Sequence, residues 1–153
     1  MKGRPKKDTL TKHRKDAWDA FSLYIRTRDS LKTTFTIESC ICCTCGVEHP
    51  RLGMGCIQAG HWIPGRNNAV LFSEEGTHGQ CASCNLVEPH GKNGNPIEYW
   101  KFMERNYGRR VMDRLIEESK QIIIYKKHDY DAIAEKYKLK TERLVLQSNT
   151  LKG

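Results

Sequence analysis

No run of about 18 consecutive apolar residues occurs in the sequence, so it offers no candidate membrane-spanning helix. The opening "MKGRPKKDTLTKHRK" is basic but leads into no apolar block of the kind a secretory signal requires, and the chain is therefore expected to be soluble and cytoplasmic. No internal repeat is present, which excludes a solenoid. Acidic side chains are in short supply, 18 against 26 Lys and Arg, for a formal charge of +8. Such an excess favours a polyanionic partner, and nucleic acid is the natural candidate.

An even set of cysteines, the mark of a complete disulfide framework, is also missing. The chain has seven, and in a reducing cytoplasm such a number points to metal binding. A redox Cys-x-x-Cys would sit as a single pair near a βαβ pattern, and no such pattern is found. At 153 residues the chain suits one compact core with tails.

Residues 1–15 hold seven Lys and Arg against one Asp and almost nothing apolar, so a flexible basic arm is expected there. From Asp16, read as an N-cap, "DAWDAFSLYIRTRDS" sets Trp18, Phe21, Tyr24, Ile25 and Arg28 near a helical period, with the aromatic side toward the core. Between Thr33 and Phe72, "TTFTI", "GCIQAGHWIPG" and "AVLF" suit short strands and knuckles. "NPIEYWKFMERNYG" carries Asn95 at N-cap, Pro96 at N1, Glu98 at N3 and Gly108 past the end, and predicts a helix. Further helices are expected through "RRVMDRLIEESKQ", which is followed by the apolar "IIIY", and from Asp129 onward; their apolar residues are assigned to packing.

"CICCTCGVEH" and "HGQCASCNL" supply the thiols. Two Cys-x-x-Cys pairs suit one tetrahedral Zn²⁺, because two intervening residues let a tight turn aim both sulfurs at one ion. The downstream pair is Cys81 and Cys84. Upstream, the spacing admits Cys40/Cys43 or Cys42/Cys45; Gly46, able to turn back through a positive φ, favours Cys42 and Cys45. Four thiolates close a zinc to substrate, so the ion is expected to be structural.

Read together, "AFSLYIRTRD", "CCTCG", "QAGHWIPGRNNAVLF", "HGQCASCN" and "GNPIEYWKFMERNYG" resemble the phage NinG/Rap recombination proteins over about residues 17–108. Two knuckles framing a histidine-bearing hairpin also resemble the ββα-metal (HNH) nucleases. The resemblance implies an α+β, treble-clef or HNH-like zinc core at 16–108, with flanking helices and a helical extension at 109–153. It implies a structure-specific endonuclease acting on branched DNA, such as Holliday junctions and D-loops, in the cytoplasm of a bacterial host. His61 then matches the general base and Asn85 a ligand of a catalytic Mg²⁺ or Mn²⁺. The HNH pattern has further ligands where this chain has Gly60 and Gly76, and His78, Glu74 or Glu75 are candidate replacements; His78 is placed with the catalytic group.

The chemistry agrees with these residue types. A neutral imidazole accepts a proton near pH 7, and an amide oxygen suits a hard cation. Asn68 is a candidate to orient His61. Arg66 and, in the arm, Lys6, Lys7, Arg14 and Lys15 are expected to hold DNA phosphates. The two-fold symmetry of a junction suggests a homodimer, with the helices after Arg109 as a possible interface. A zinc-stabilised DNA-binding accessory protein without hydrolysis is the alternative.

Overall fold

The computed structural model describes residues 8–64 and 67–151. Among these residues the chain is a mixture of helices and two small antiparallel hairpins, in the order α1 (Leu10–Thr34), β1 (Ser39–Ile41), β2 (Glu48–Pro50), β3 (Gln58–His61), α2 (Asn68–Leu71), β4 (Thr77–Gln80), α3 (Ala82–Asn85), α4 (Pro96–Ser119) and α5 (Lys127–Leu151). No helix among them is long and apolar enough to cross a membrane.

The first helix begins seven residues earlier than Asp16 as N-cap suggested. Thr9 is its N-cap, and the Thr9 side chain accepts the Lys12 amide hydrogen. Asp16 lies inside the helix and pairs with Lys12 one turn back, as Asp19 pairs with Lys15. Much of the basic segment is thus helical from Leu10 onward; residues 1–7 lie outside the described residues.

Ala17, Ala20, Phe21, Tyr24 and Ile25 form the buried side of α1, and Tyr130, Ala134 and Tyr137 of α5 close over it. Phe21 meets Tyr137 edge to face at 4.8 Å between centroids. Full burial of an aromatic the size of Phe21 contributes about 2–3 kcal/mol. His13 bonds Asp131, and Tyr24 and Tyr137 share Glu74, so α5 runs beside α1 in the same direction. The C-terminal helix therefore belongs to the same core as α1. The apolar "IIIY" is divided: Ile122 and Ile124 are exposed, while Tyr125 packs against this core.

β3 pairs with β4 through Gln58↔Gln80, Ala59↔Gly79, Gly60↔His78 and His61↔Thr77. Residues opposite one another share a face, so 59, 61, 77 and 79 look one way and 58, 60, 78 and 80 the other. "AVLF", expected as a strand, is mostly the short helix α2, because Asn67 accepts the Ala69 amide hydrogen and caps it. "TTFTI" is likewise not a strand; it ends α1, with Phe35 left-handed at φ 60° and exposed.

α4 starts at Pro96 as read, but Asn95 makes no side-chain cap. Its backbone is left-handed (φ 48°), and its amide group donates to Cys84 Sγ instead. Gly108 breaks α4 at φ 77°, ψ 168°. Tyr99 and Met103 before the break and Met112 and Leu115 after it belong to one buried cluster.

Candidate metal centre and histidine hairpin

Cys42 follows β1, and the chain turns back at once: the Gly46 amide donates to the Cys42 carbonyl at 3.0 Å with Gly46 at φ 75°. Gly46 thus supplies the positive φ that its position suggested. The second pair sits at the start of α3, with the Cys84 amide donating to the Cys81 carbonyl. The sulfurs of Cys42, Cys45, Cys81 and Cys84 all lie within 4.8 Å of one another. Four such sulfurs could hold a metal ion such as zinc.

Hydrogen-bond donors are already aimed at the quartet. The Cys81 amide reaches Cys42 Sγ at 3.3 Å, and the Asn95 side chain reaches Cys84 Sγ at 3.5 Å. Burial raises the Cys42 pKa, but hydrogen bonds from Thr44 and from the backbone amides of Cys81, Cys45 and Thr44 outweigh it and bring it down to about 6. Burial, together with the neighbouring Cys42 charge, pushes Cys45 up to about 12, and burial also raises Cys81. The protein itself stabilises the Cys42 thiolate, whereas Cys45 and Cys81 need a cation beside them to ionise.

The competing register fails on geometry. Cys40 is fully buried in the middle of β1, where burial lifts its thiol to about 12, and Cys43 packs with the Tyr99 cluster, where burial again raises its pKa. Both behave as small apolar residues.

His61 ends β3 on the α1 side. Its ring stacks on Trp18 at 5.0 Å between centroids, and Nε2 lies 2.9 Å from the Leu71 carbonyl oxygen. A carbonyl only accepts, so the Nε2 hydrogen is fixed and the basic lone pair of the neutral ring belongs to Nδ1. Asn68 does not orient this ring; its amide donates to the Ile123 carbonyl, and Asn67 donates to that of Ser119.

Asn85 closes α3 beside Cys84, half-buried, and its amide nitrogen donates to Gln58 Oε1 at 2.9 Å. Gly60 lies between the two named residues. A Cβ there would stand 2.3 Å from Gln80 Oε1 and 3.0 Å from Asn85 Oδ1. Asn85 thus adjoins the 58/60/80 face of the hairpin, and His61 belongs to the other.

His78 is a correction. Its residue is 3 % exposed, Nε2 lies 3.0 Å from the Glu75 carbonyl, and Nδ1 lies 3.1 Å from Arg28 Nη2, which donates to it. Ring contacts with Phe102 and Tyr107 complete the enclosure. Held this way, His78 supports the hairpin, and it borders a cavity of about 310 Å³ together with Asp29, Phe102 and Tyr107. Glu74 and Glu75 are engaged as well, the first by Lys140, Tyr24 and Tyr137, the second by Arg114.

The sequence reading passed over a buried ion pair behind His78. Arg28 donates to Asp29 Oδ1 at 2.7 Å and to the Glu74 and Thr77 carbonyls at 2.6 and 2.8 Å, while Asp29 Oδ2 accepts the Gly79 amide at 2.8 Å. Burial raises the Asp29 pKa, yet the adjoining His78 ring and Arg28 guanidinium hold it well below the ordinary carboxylate range. An Arg at an apolar phase of α1 was the available signal.

Of the residues expected to meet DNA, Lys6, Lys7 and Arg66 lie outside the described residues. Lys15 is exposed and paired with Asp19 at 2.5 Å. Arg14 helps line an open cavity of about 410 Å³ with Asn67, Asn68 and Lys120.

A sequence model of the family described as Bacteriophage Lambda NinG protein matches residues 2–146. No curated protein matches the chain. No solved structure matches it either.

Proposed function

The chain belongs to the bacteriophage lambda NinG family, and from that premise we propose that it is a structure-specific endonuclease that cuts branched DNA by metal-assisted phosphodiester hydrolysis. The observations that support this reading are an imidazole on β3 whose Nε2 hydrogen is fixed by Leu71 and a four-cysteine cluster that is followed at once by Asn85. The frame is read as a treble-clef, HNH-like one, with zinc in its sulfur site.

With Nε2 held, His61 Nδ1 takes a proton from water as the water oxygen attacks phosphorus and the bond to the leaving sugar oxygen breaks. The Trp18 face limits ring rotation. Asn85 Oδ1 is a hard neutral donor and fits Mg²⁺ or Mn²⁺; when bound, that ion supplies charge neutralisation at the phosphate. The +8 charge attracts the backbone without reading sequence, so branch shape becomes the determinant. A homodimer would match the two nearly symmetric cuts of a junction.

A second reading has its own support. Gly60 and Gly76 contribute no ligand side chain, and Glu74, Glu75 and His78 are held by protein partners. On that reading the fold is a DNA-binding accessory module without hydrolysis.

Labelled four-way junction and matched duplex, incubated with wild type or His61→Ala in Mg²⁺ or EDTA, separate the two. Metal-dependent nicks near the branch, absent from duplex and at least about 10²-fold slower in the variant, are expected. Tight junction binding with no cutting in Mg²⁺ or Mn²⁺ establishes the accessory module instead.

A further inference from the structure

Residues 120–126 join α4 to α5 and hold two isoleucines out in water, Ile122 at 89 % and Ile124 at 83 % exposure. The backbone beneath them is pinned. The Asn67 amide donates to the Ser119 carbonyl and the Asn68 amide to the Ile123 carbonyl, the latter at 2.9 Å. Tyr125 packs on the α1–α5 core, and its hydroxyl donates to the Asn68 carbonyl at 3.4 Å. Burial alternates along this stretch, so residues 123 and 125 turn inward while Ile122 and Ile124 turn out together. Two apolar side chains presented side by side on a held backbone add nothing to the core and are set for a partner.

The surroundings say which partner. From Ser119 to His128 the chain carries three lysines and no carboxylate. Ile122 is one wall of the open cavity of about 410 Å³, and the charged residues lining that cavity, Arg14 and Lys120, are both cationic. Arg14 takes part in no ion pair among the described residues. Lys120 is paired with the exposed Glu117 at 2.6 Å, a surface contact that a phosphate can replace. An apolar tip beside a cationic hollow is complementary to a nucleic-acid strand, whose phosphates are anionic and whose base faces are apolar.

We infer that the α4–α5 loop is a wedge for branched DNA: Ile122 and Ile124 enter the break in base stacking at the branch, while Arg14 and Lys120 hold a phosphate of the adjoining strand. Insertion into continuous duplex must first unstack a base step, whereas at a branch the stacking is already broken. The wedge therefore supplies the discrimination between junction and duplex that phosphate contacts cannot. Helix α2 carries both Asn68, which pins the loop, and Leu71, whose carbonyl holds His61, so the wedge acts beside the proposed base. The inference rests on the branched-DNA partner of the proposed function and is independent of hydrolysis.

The test uses the full chain, wild type and the double variant Ile122→Ser/Ile124→Ser, on a four-way junction and on matched duplex, with 2-aminopurine beside the branch to report unstacking. The double variant should bind the junction about tenfold more weakly by fluorescence anisotropy, bind duplex within about twofold of wild type, and lose the 2-aminopurine brightening that wild type causes. Both side chains are exposed, so its thermal midpoint should equal that of wild type. Arg14→Gln should weaken both DNAs alike and lower the salt slope by about 1. Unchanged junction affinity in the double variant, an equal loss on both DNAs, or no brightening with wild type overturns the wedge. A loss of junction binding that coincides with a shift from dimer to monomer in sedimentation assigns the isoleucines to self-association and overturns it too. Junctions cut and bound equally by wild type and the double variant remove the wedge and keep the endonuclease. A junction-selective loss in a protein that cuts nothing keeps the wedge and removes the endonuclease.

Discussion

Cys45 and Cys43 are two residues apart in sequence but differ in what surrounds them. Cys45 points at the other three sulfurs, Cys43 at Tyr99 and its neighbours. Cys45→Ser should therefore lose most bound zinc, measured by metal analysis after dialysis, while Cys43→Ala keeps one equivalent. Asp29 makes a different prediction. Its native pKa is depressed below the ordinary 3.8, so its contribution to stability is complete above that value and is lost as pH falls toward the native one. Removing one partner of a buried pair costs about 3–5 kcal/mol, and Asp29→Asn should show a loss of that order at pH 7. The gap between wild type and variant should narrow at pH 3, as read by denaturant unfolding at both values. The register of the four clustered cysteines was legible because Gly46 advertises its backbone. The Arg28, Asp29 and His78 network was not, since its members come from α1 and β4 and meet only when α1 crosses the hairpin.

Two helices show why element boundaries were only partly legible. Pro96 fixed a start that needs no tertiary information. The start of α1 at Leu10 rests on the Thr9 cap, on two Lys–Asp pairs and on His13 and Lys127 contacts that tie it to Asp8 and α5. A charged segment that reads as an arm becomes helix when another helix lies beside it. Asn67 had the same effect on "AVLF": one side-chain cap turned an apolar run that suits a strand into a turn of helix. Gly108 was read as a helix end, and it is a joint. Its φ and ψ lie in a region essentially reserved for glycine, and an added Cβ would meet nothing within 4 Å. Gly108→Ala should therefore cost about 1–3 kcal/mol through the backbone alone, seen as a lowered thermal midpoint with zinc content unchanged.

On the scale of the whole molecule, the net charge makes the proposed DNA partner testable. With +8 distributed over the chain, junction affinity should fall steeply with salt, each neutralised phosphate adding about 0.9 to the slope of log K against log salt. Fluorescence anisotropy between 50 and 200 mM salt measures it, and equal slopes for junction and duplex would assign discrimination to shape. The family match over residues 2–146 extends beyond the stretch that carried the resemblance. That extension has a physical counterpart, because α5 supplies half of the aromatic core under α1.

The distances along the chain between these partners also set an order of assembly. Cys45 and Cys81 are 36 residues apart, whereas His13 and Asp131 are 118 apart. Loop-closure entropy rises with separation, and a nascent chain leaves the ribosome from its N-terminal side, so the cysteine quartet is complete well before α5 exists. Until α5 arrives, Phe21 and Tyr24 of α1 lack the cover of Tyr130 and Tyr137. Assembly of the four-cysteine cluster is thus an early, local event of biosynthesis, and the covering of α1 by α5 is its last long-range step.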